Sequence, residues 1–168
     1  MNADVVTFRP IGVIRSEHRR AEETPIQPRY APGCLGRIEL RTEFADGLDD
    51  LEGFSHLYLI YVLHRAGPMQ LRVRPFLQDV DRGIFATRAP VRPNPIGLSL
   101  VRLVAREGAI LRVDGIDVLD GTPLLDLKPY APRYDAVENA RGGWTDAIDE
   151  ETARLRGRRA FCAPADRP

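Results

Sequence analysis

LSLVRLVAREGAILRVDGIDVL, Leu98 to Leu119, is the stretch that decides the fold. It holds three short apolar runs, Leu98–Val104, Ala109–Val113 and Gly115–Leu119, separated by Glu107-Gly108 and Asp114-Gly115. Pairs of this kind favour tight turns, because glycine takes a positive φ at no steric cost. The stretch therefore predicts a meander of three antiparallel strands.

Working outward, Val5–Ile14 is apolar and β-branched, Arg37–Leu40 alternates, and His56–Leu63 is aromatic and aliphatic throughout, as a buried strand would be. Leu71–Leu77 alternates through Leu71, Val73 and Pro75, and Gly83–Thr87 is short and apolar. Helical signals are few. Phe44–Leu51 predicts a short turn of helix, and Thr145 is placed to cap a helix through Ala147, Ile148 and Ala153 to about Leu155, ending before Gly157. Many short strands with little helix predict a mainly β fold: a small single-domain β-barrel with peripheral short helices and a C-terminal helix. The expected barrel domain is 5–135, and 136–168 is expected to be a C-terminal extension of the same domain.

The 168 residues suffice for one hydrophobic core, and 43% hydrophobic with 29% charged residues is globular composition. The longest apolar run, Leu57–Leu63, falls short of the roughly 20 residues of a membrane span, and MNADVVTFRP lacks the order of a signal peptide. A cytoplasmic protein is expected. Net charge is +0, which denies a global footprint for nucleic acid and leaves room for a local basic patch. Cys34 and Cys162 form no CxxC and have no histidine beside them in sequence, so neither a disulfide framework nor a metal is expected. The phosphate-cradling glycine loops, HExxH and GxSxG are missing. Two long segments, Glu17–Leu35 and Tyr130–Gly143, read as loops, and Ala160–Pro168 reads as a loose tail.

Three segments are candidates for chemistry. In RAPVRPNPIGLSL, Arg88–Leu100, each of Pro90, Pro93 and Pro95 fixes its φ and pushes the preceding residue out of the helical region. A stiff extended loop results, with Arg88, Arg92 and Asn94 held at little remaining entropic cost and Gly97 open to close approach. The residues alone leave two readings: a ligand-gripping loop, or a proline cap protecting a sheet edge. In DVLDGTPLLDLKPY, Asp117–Tyr130, the bend Asp120-Gly121-Thr122-Pro123 presents N–H groups beside a carboxylate, while Asp126 and Lys128 share one face and can pair. The third, LYLIYVLHR, ends a buried strand in His64-Arg65.

Together with PIGVIRS, TPIQPRYAPGCLGRIEL and GIFATRAPVRPNPIGLSLVRL, these strings, in order from about Phe8 to Asp135, resemble the TsaA-like family. The resemblance implies a β-barrel that binds S-adenosyl-L-methionine and forms a homodimer with the cofactor near the subunit interface. It also implies methylation of N6 in N6-threonylcarbamoyladenosine beside the anticodon of tRNA. The matched positions imply cofactor contacts at Pro25, Ile26, Gln27, His64, Arg65, Arg88, Leu98, Asp120, Gly121, Thr122 and Pro123. Within that set Arg88 or Arg65 suits the methionine carboxylate, Asp120 the ribose or amino group, and Leu98 the adenine face. Substrate contacts are expected from Arg92, Asn94, Lys128 and Tyr130 around the same mouth, with Arg19 and Arg20 extending the patch. The group that takes the N6 proton is left among Asp126, His64, Tyr130 and water. Ala89 stands where the common family string has serine, Ile26 where many members have arginine, and the extra C-terminal domain of longer members has no counterpart after Asp135. Two other functions stay open: an S-adenosyl-L-methionine-binding module, and a methyltransferase for another RNA or a small molecule.

Overall fold

Six antiparallel strands close on themselves in the computed structural model, which describes residues 5–159; the expected tail Ala160–Pro168, with Cys162, lies outside them. The strands are β1 (Gly12–Arg15), β2 (Leu35–Leu40), β3 (His56–Val62), β4 (Arg72–Val73), β5 (Arg82–Gly83), β6 (Ile96–Glu107), β7 (Ile110–Asp114) and β8 (Thr122–Pro129). The barrel runs β1-β2-β7-β6-β3-β8, and β8 returns to β1 through the pairs Gly12 with Leu124 and Ile14 with Thr122. Closure removes the open strand edges that invite aggregation. β4 and β5 form a separate two-stranded ribbon.

Period-two burial explains why β3 sits where it does. Leu57, Leu59 and Tyr61 face the core, while His56, Tyr58, Ile60 and Val62 face outward and are half-buried. Opposite them on β6, Ser99 and Val101 point inward, so the barrel interior is filled by these residues with Ile14, Ile38, Leu111, Val113 and Leu124. Gly97, expected to admit a ligand or another chain, instead receives the ring of Tyr61, its cross-strand partner; a Cβ there would run into that ring. Register shifts between Leu103 and Ala105 on β6, and between Ile60 and Tyr61 in the β3–β8 pair, supply the local coiling that closure needs.

The meander is a two-strand hairpin, β6–β7, and Gly115–Leu119 is not its third strand. Gly115 has φ +85° and turns the chain, after which the N–H groups of Gly115 and Ile116 both donate to the Cys34 carbonyl at 3.0 and 3.1 Å. Ile116 and Val118 are buried, so the segment crosses and plugs the barrel mouth. Regular pairing resumes only at Thr122, with β1 and β3. Of Val5–Ile14, the strand begins only at Gly12; Leu71–Leu77 shrinks to Arg72–Val73, and Gly83–Thr87 becomes β5 followed by a 3₁₀ turn, Ile84–Ala86. The expected turn of helix at 44–51 forms as 3₁₀ segments, Thr42–Leu48 and Leu51–Gly53.

Two α-helices follow the barrel, α1 (Pro132–Asp135) and α2 (Glu150–Arg158). The cap of α2 is Asp149, whose Oδ1 accepts from the Thr152 N–H at 2.8 Å; Thr145 belongs to a preceding 3₁₀ turn, Gly143–Ala147, with Ala147 and Ile148 outside the helix. Gly157 does not end the helix. It stays inside because the Tyr30 ring occupies the place of its Cβ, and its carbonyl accepts from the Ile26 N–H at 2.9 Å. Gly157→Ala overpacks that site and is expected to cost about 1–3 kcal/mol. A urea midpoint equal to that of the unaltered protein would refute the packing assigned to Gly157. No described helix is long and apolar enough to cross a membrane.

Candidate functional site

The strand ends Arg15, Leu35, Val62, Ile96, Asp114 and Thr122 all lie at one rim of the barrel, because antiparallel order brings alternate ends together. The three connections that leave this rim, 16–34, 63–95 and 115–121, carry nearly every expected cofactor residue. Pro25, Ile26 and Gln27 are on the first, His64, Arg65 and Arg88 on the second, and Asp120 and Gly121 on the third, running into Thr122 and Pro123 of β8. Leu98 is the exception. It lies on the outer wall of β6, paired with Ile60 and 45% exposed, an apolar surface open to a planar ring.

Contacts tie the connections to one another. Arg88 Nη1 donates to Gln27 Oε1 at 2.6 Å, joining the second to the first, and Gln27 Nε2 donates to the Ile26 carbonyl at 2.6 Å. His64 Nδ1 lies 3.3 Å from Thr122 Oγ1, whose hydroxyl donates to the Leu119 carbonyl at 2.7 Å, joining the second to the third. Backbone bonds hold the Asp-Gly bend against the first connection and β1: Asp120 N–H to the His18 carbonyl at 2.8 Å, and Gly121 N–H to the Ile14 carbonyl at 2.9 Å. The Asp120 carboxylate accepts from the Ser16 N–H at 3.1 Å and pairs with Arg19, with Arg15 4.0 Å away. Arg19 is largely exposed while the Asp120 side chain is mostly buried and keeps its Ser16 N–H, so a ligand hydroxyl or ammonium can take the place of Arg19.

Asp120 also lines a cavity of 780 Å³ on the outer wall, bounded by Arg15, Arg19, Leu35, Arg37 and Val104. Arg88 does not line it.

A polar chain that sequence reasoning missed runs from buried Tyr61 and Ser99 to half-buried Asp117, within reach of the charge of Arg88. The Tyr61 hydroxyl is 2.9 Å from Ser99 Oγ, and Ser99 Oγ donates to Asp117 Oδ1 at 2.5 Å. Desolvation pushes the Asp117 carboxyl from 3.8 to about 7, opposed in part by the Ser99 hydrogen bond, its own backbone and the charge of Arg88. Burial likewise pushes the Tyr61 phenol up. The only sequence signal was an acid between Ile116 and Val118, both of which become core. Between the two Asp117 values the folded chain keeps a proton that the unfolded chain has lost. Its contribution is present in full below the unfolded value and is lost as pH rises through about 7. Asp117→Asn is expected to remove this decline; urea midpoints at about pH 5 and about pH 8 that fall equally in both proteins would contradict it.

The fold also brings His18 to Cys34, with Nε2 3.2 Å from Sγ, and both are buried. Among the described residues no group of three or more His, Cys, Asp or Glu side chains is arranged to hold a metal.

The expected substrate residues are divided. Arg92 braces its own loop, donating through Nη1 to the carbonyls of Ile84 at 3.2 Å and Thr87 at 2.8 Å, and Asn94 is exposed beside it. Lys128 and Tyr130 stand farther along the chain: a six-position step of β8, about 20 Å of strand, takes the backbone from Thr122 to Lys128, whereas Tyr58, beside Tyr130, still feels the charge of Arg88. Lys128 pairs with Asp126 at 2.8 Å, and Tyr130 packs edge-on against Tyr58 with ring centroids 5.8 Å apart.

The family model for the tRNA-methyltransferase O N-terminal domain matches residues 13–136. A probable S-adenosyl-L-methionine-binding protein of Pyrococcus abyssi is 51% identical over 142 residues, 84% of this chain and 77% of that protein. The tRNA (adenine(37)-N6)-methyltransferase of Escherichia coli is 36% identical over 150 residues, 83% of this chain and 64% of that protein. A crystal structure of TrmO superposes with TM-score 0.71 at 45% identity, covering 83% of this chain and 64% of that one. The chain thus spans a little under two thirds of the solved TrmO chain. On the strength of the domain match and these identities, the chain belongs to the tRNA-methyltransferase O N-terminal domain family.

Proposed function

We propose that this chain is an S-adenosyl-L-methionine-dependent methyltransferase acting on N6 of an adenosine beside the tRNA anticodon, with the threonylcarbamoylated base as acceptor. The observation that carries the reading is the convergence of the three connections on one rim, locked by the Arg88–Gln27 hydrogen bond. Relatives named as S-adenosyl-L-methionine-binding proteins and as tRNA (adenine(37)-N6)-methyltransferases support it.

The residues present suit the cofactor. Arg88 offers a guanidinium to the methionine carboxylate, Asp120 a carboxylate to a ribose hydroxyl, and Leu98 an exposed apolar face to the adenine. When bound, the cofactor supplies a sulfonium methyl group that N6 takes in line, the C–S electrons leaving with S-adenosylhomocysteine and the N6 proton leaving to a base or to water. The chain's own task is orientation, worth up to roughly 7–11 kcal/mol when both reactants are held in line. The prolines at 90, 93 and 95 serve that task by removing freedom from the Arg88 connection before any ligand arrives. His64, Asp126 and Tyr130 remain candidates for the base; of these, Asp126 is paired with Lys128. A homodimer would let Arg88 of one subunit and Asp120 of the other meet on one cofactor, and Ile96 and Leu98, both exposed on the outer wall of β6, suit such an interface. On this reading the chain works in the cytoplasm, where its tRNA substrate is found.

The test is transfer of a labelled methyl group to tRNA carrying or lacking threonylcarbamoylation, followed by nucleoside mass spectrometry. Label in the N6-threonylcarbamoyl nucleoside is expected, and label in neither pool would end the tRNA reading. A binding module without transfer is the second reading, favoured by one observation. A shorter relative in Methanothermobacter thermautotrophicus, 44% identical over 132 residues that make up 79% of this chain and 95% of that protein, is named a probable S-adenosyl-L-methionine-binding protein.

A further inference from the structure

The segment between His64 and Arg92 leaves β3, folds into the β4–β5 ribbon and returns to β6, so cofactor residues stand near both of its ends. It holds six arginines, at 65, 72, 74, 82, 88 and 92, against two carboxylates, Asp79 and Asp81. In a chain of net charge +0, a surplus of four positive charges is concentrated on this arm. Asp79 is taken up by Arg156 at 2.9 Å and Asp81 by Arg74 at 3.0 Å.

Within this basic arm Phe85 is 74% exposed. Its backbone is fixed on every side. The neighbouring Ile84 is buried, the Ala86 carbonyl accepts from Trp144 Nε1 at 2.7 Å, and Arg92 binds the carbonyls of Ile84 and Thr87. The Arg92 guanidinium lies over the Phe85 ring, 5.6 Å from its centroid. A rigid, open ring flanked by guanidinium is what an unstacked base requires, since stacking is insensitive to base identity and the cations meet the adjoining phosphates.

We propose that this arm docks RNA, with Phe85 stacking on an unpaired base of the substrate and Arg72 and Arg74 engaging the flanking phosphates. The inference rests on the reading that the chain acts on tRNA, and names the surface that would hold it. At the Phe85 face itself, away from the Arg88 end, a second copy of the chain is the poorer occupant, because a two-fold axis there would bring Arg72, Arg74 and Arg92 against their own copies.

Binding of the full chain to an anticodon stem-loop RNA and to a fully paired RNA duplex of equal length, across a salt series, tests it. Phe85→Ala is expected to weaken the stem-loop complex at least about 5-fold and to leave duplex binding unchanged. The Arg72→Ala/Arg74→Ala double variant is expected to lower the slope of log affinity against log salt by about 0.7 for each phosphate that is no longer neutralised. Affinity for S-adenosyl-L-methionine should stay the same in both variants. Unaltered stem-loop binding and salt slope in both variants, with wild-type tRNA methylation intact, would overturn the arm alone. A wild-type protein that binds neither RNA would overturn the arm and the tRNA reading together. Phe85→Ala turning a dimer into a monomer in sedimentation would make the arm a subunit contact and overturn the proposal.

Discussion

Leu59→Ala should destabilise the barrel by about 2–5 kcal/mol, a large share of the roughly 5–15 kcal/mol that holds a domain of this size folded. Leu59 is fully buried, with Ser99 on one side and Leu127 on the other across β6 and β8. Truncation there loses the transfer energy of the deleted carbons and leaves a void that strands fixed on both sides cannot collapse to fill. Its neighbour Ile60 faces outward and is half-buried, so Ile60→Ala should cost well under half as much. Urea denaturation of the two variants settles the matter. Equal losses would mean that the alternation assigned to β3, and with it the orientation of Tyr61 over Ser99, is wrong.

Arg88→Ala should weaken S-adenosyl-L-methionine binding about 10- to 150-fold, the worth of a hydrogen bond to a charged group of about 1.5–3 kcal/mol. Two losses add. The guanidinium that suits the methionine carboxylate disappears, and so does the 2.6 Å bond that holds Gln27, and through it Ile26, against the second connection. Titration calorimetry reads the affinity directly, and Arg133→Ala on the exposed face of α1 serves as the control. Normal binding by Arg88→Ala would remove Arg88 from the site.

The barrel was legible because its signals are local. Glu107-Gly108 turns β6 into β7, and the aromatic and aliphatic run at 56–63 is a strand by composition alone. Where sequence reasoning failed, a distant contact had overridden a local preference. Gly157 reads as a helix stop, yet it is a packing glycine whose partner, Tyr30, comes from the other end of the chain. Gly115–Leu119 reads as a strand, yet the Cys34 carbonyl captures its first two N–H groups and bends it across the mouth.

The candidate site divides in the same way. Its residues came from motif strings, and the hydrogen bonds between Gln27 and Arg88 and between His64 and Thr122 could not be read from those strings, because they depend on which strand ends share a rim. Lys128 was expected around the same mouth, and the motif string does not show that β8 carries it about 20 Å along the strand from Thr122. Asp117 was illegible for a third reason. Its perturbation is made by desolvation, with Ser99 and Tyr61 as its polar neighbours, and no spacing announces that.

A crystal structure of the full chain with S-adenosylhomocysteine tests the rim site most directly. The product's carboxylate is expected on Arg88 and its nucleoside between Leu98 and the 120–123 bend, with contributions from two subunits wherever Arg88 and Asp120 touch the same ligand. A nucleoside lodged wholly in the outer-wall cavity, away from Gln27, His64 and Arg88, would contradict the rim site.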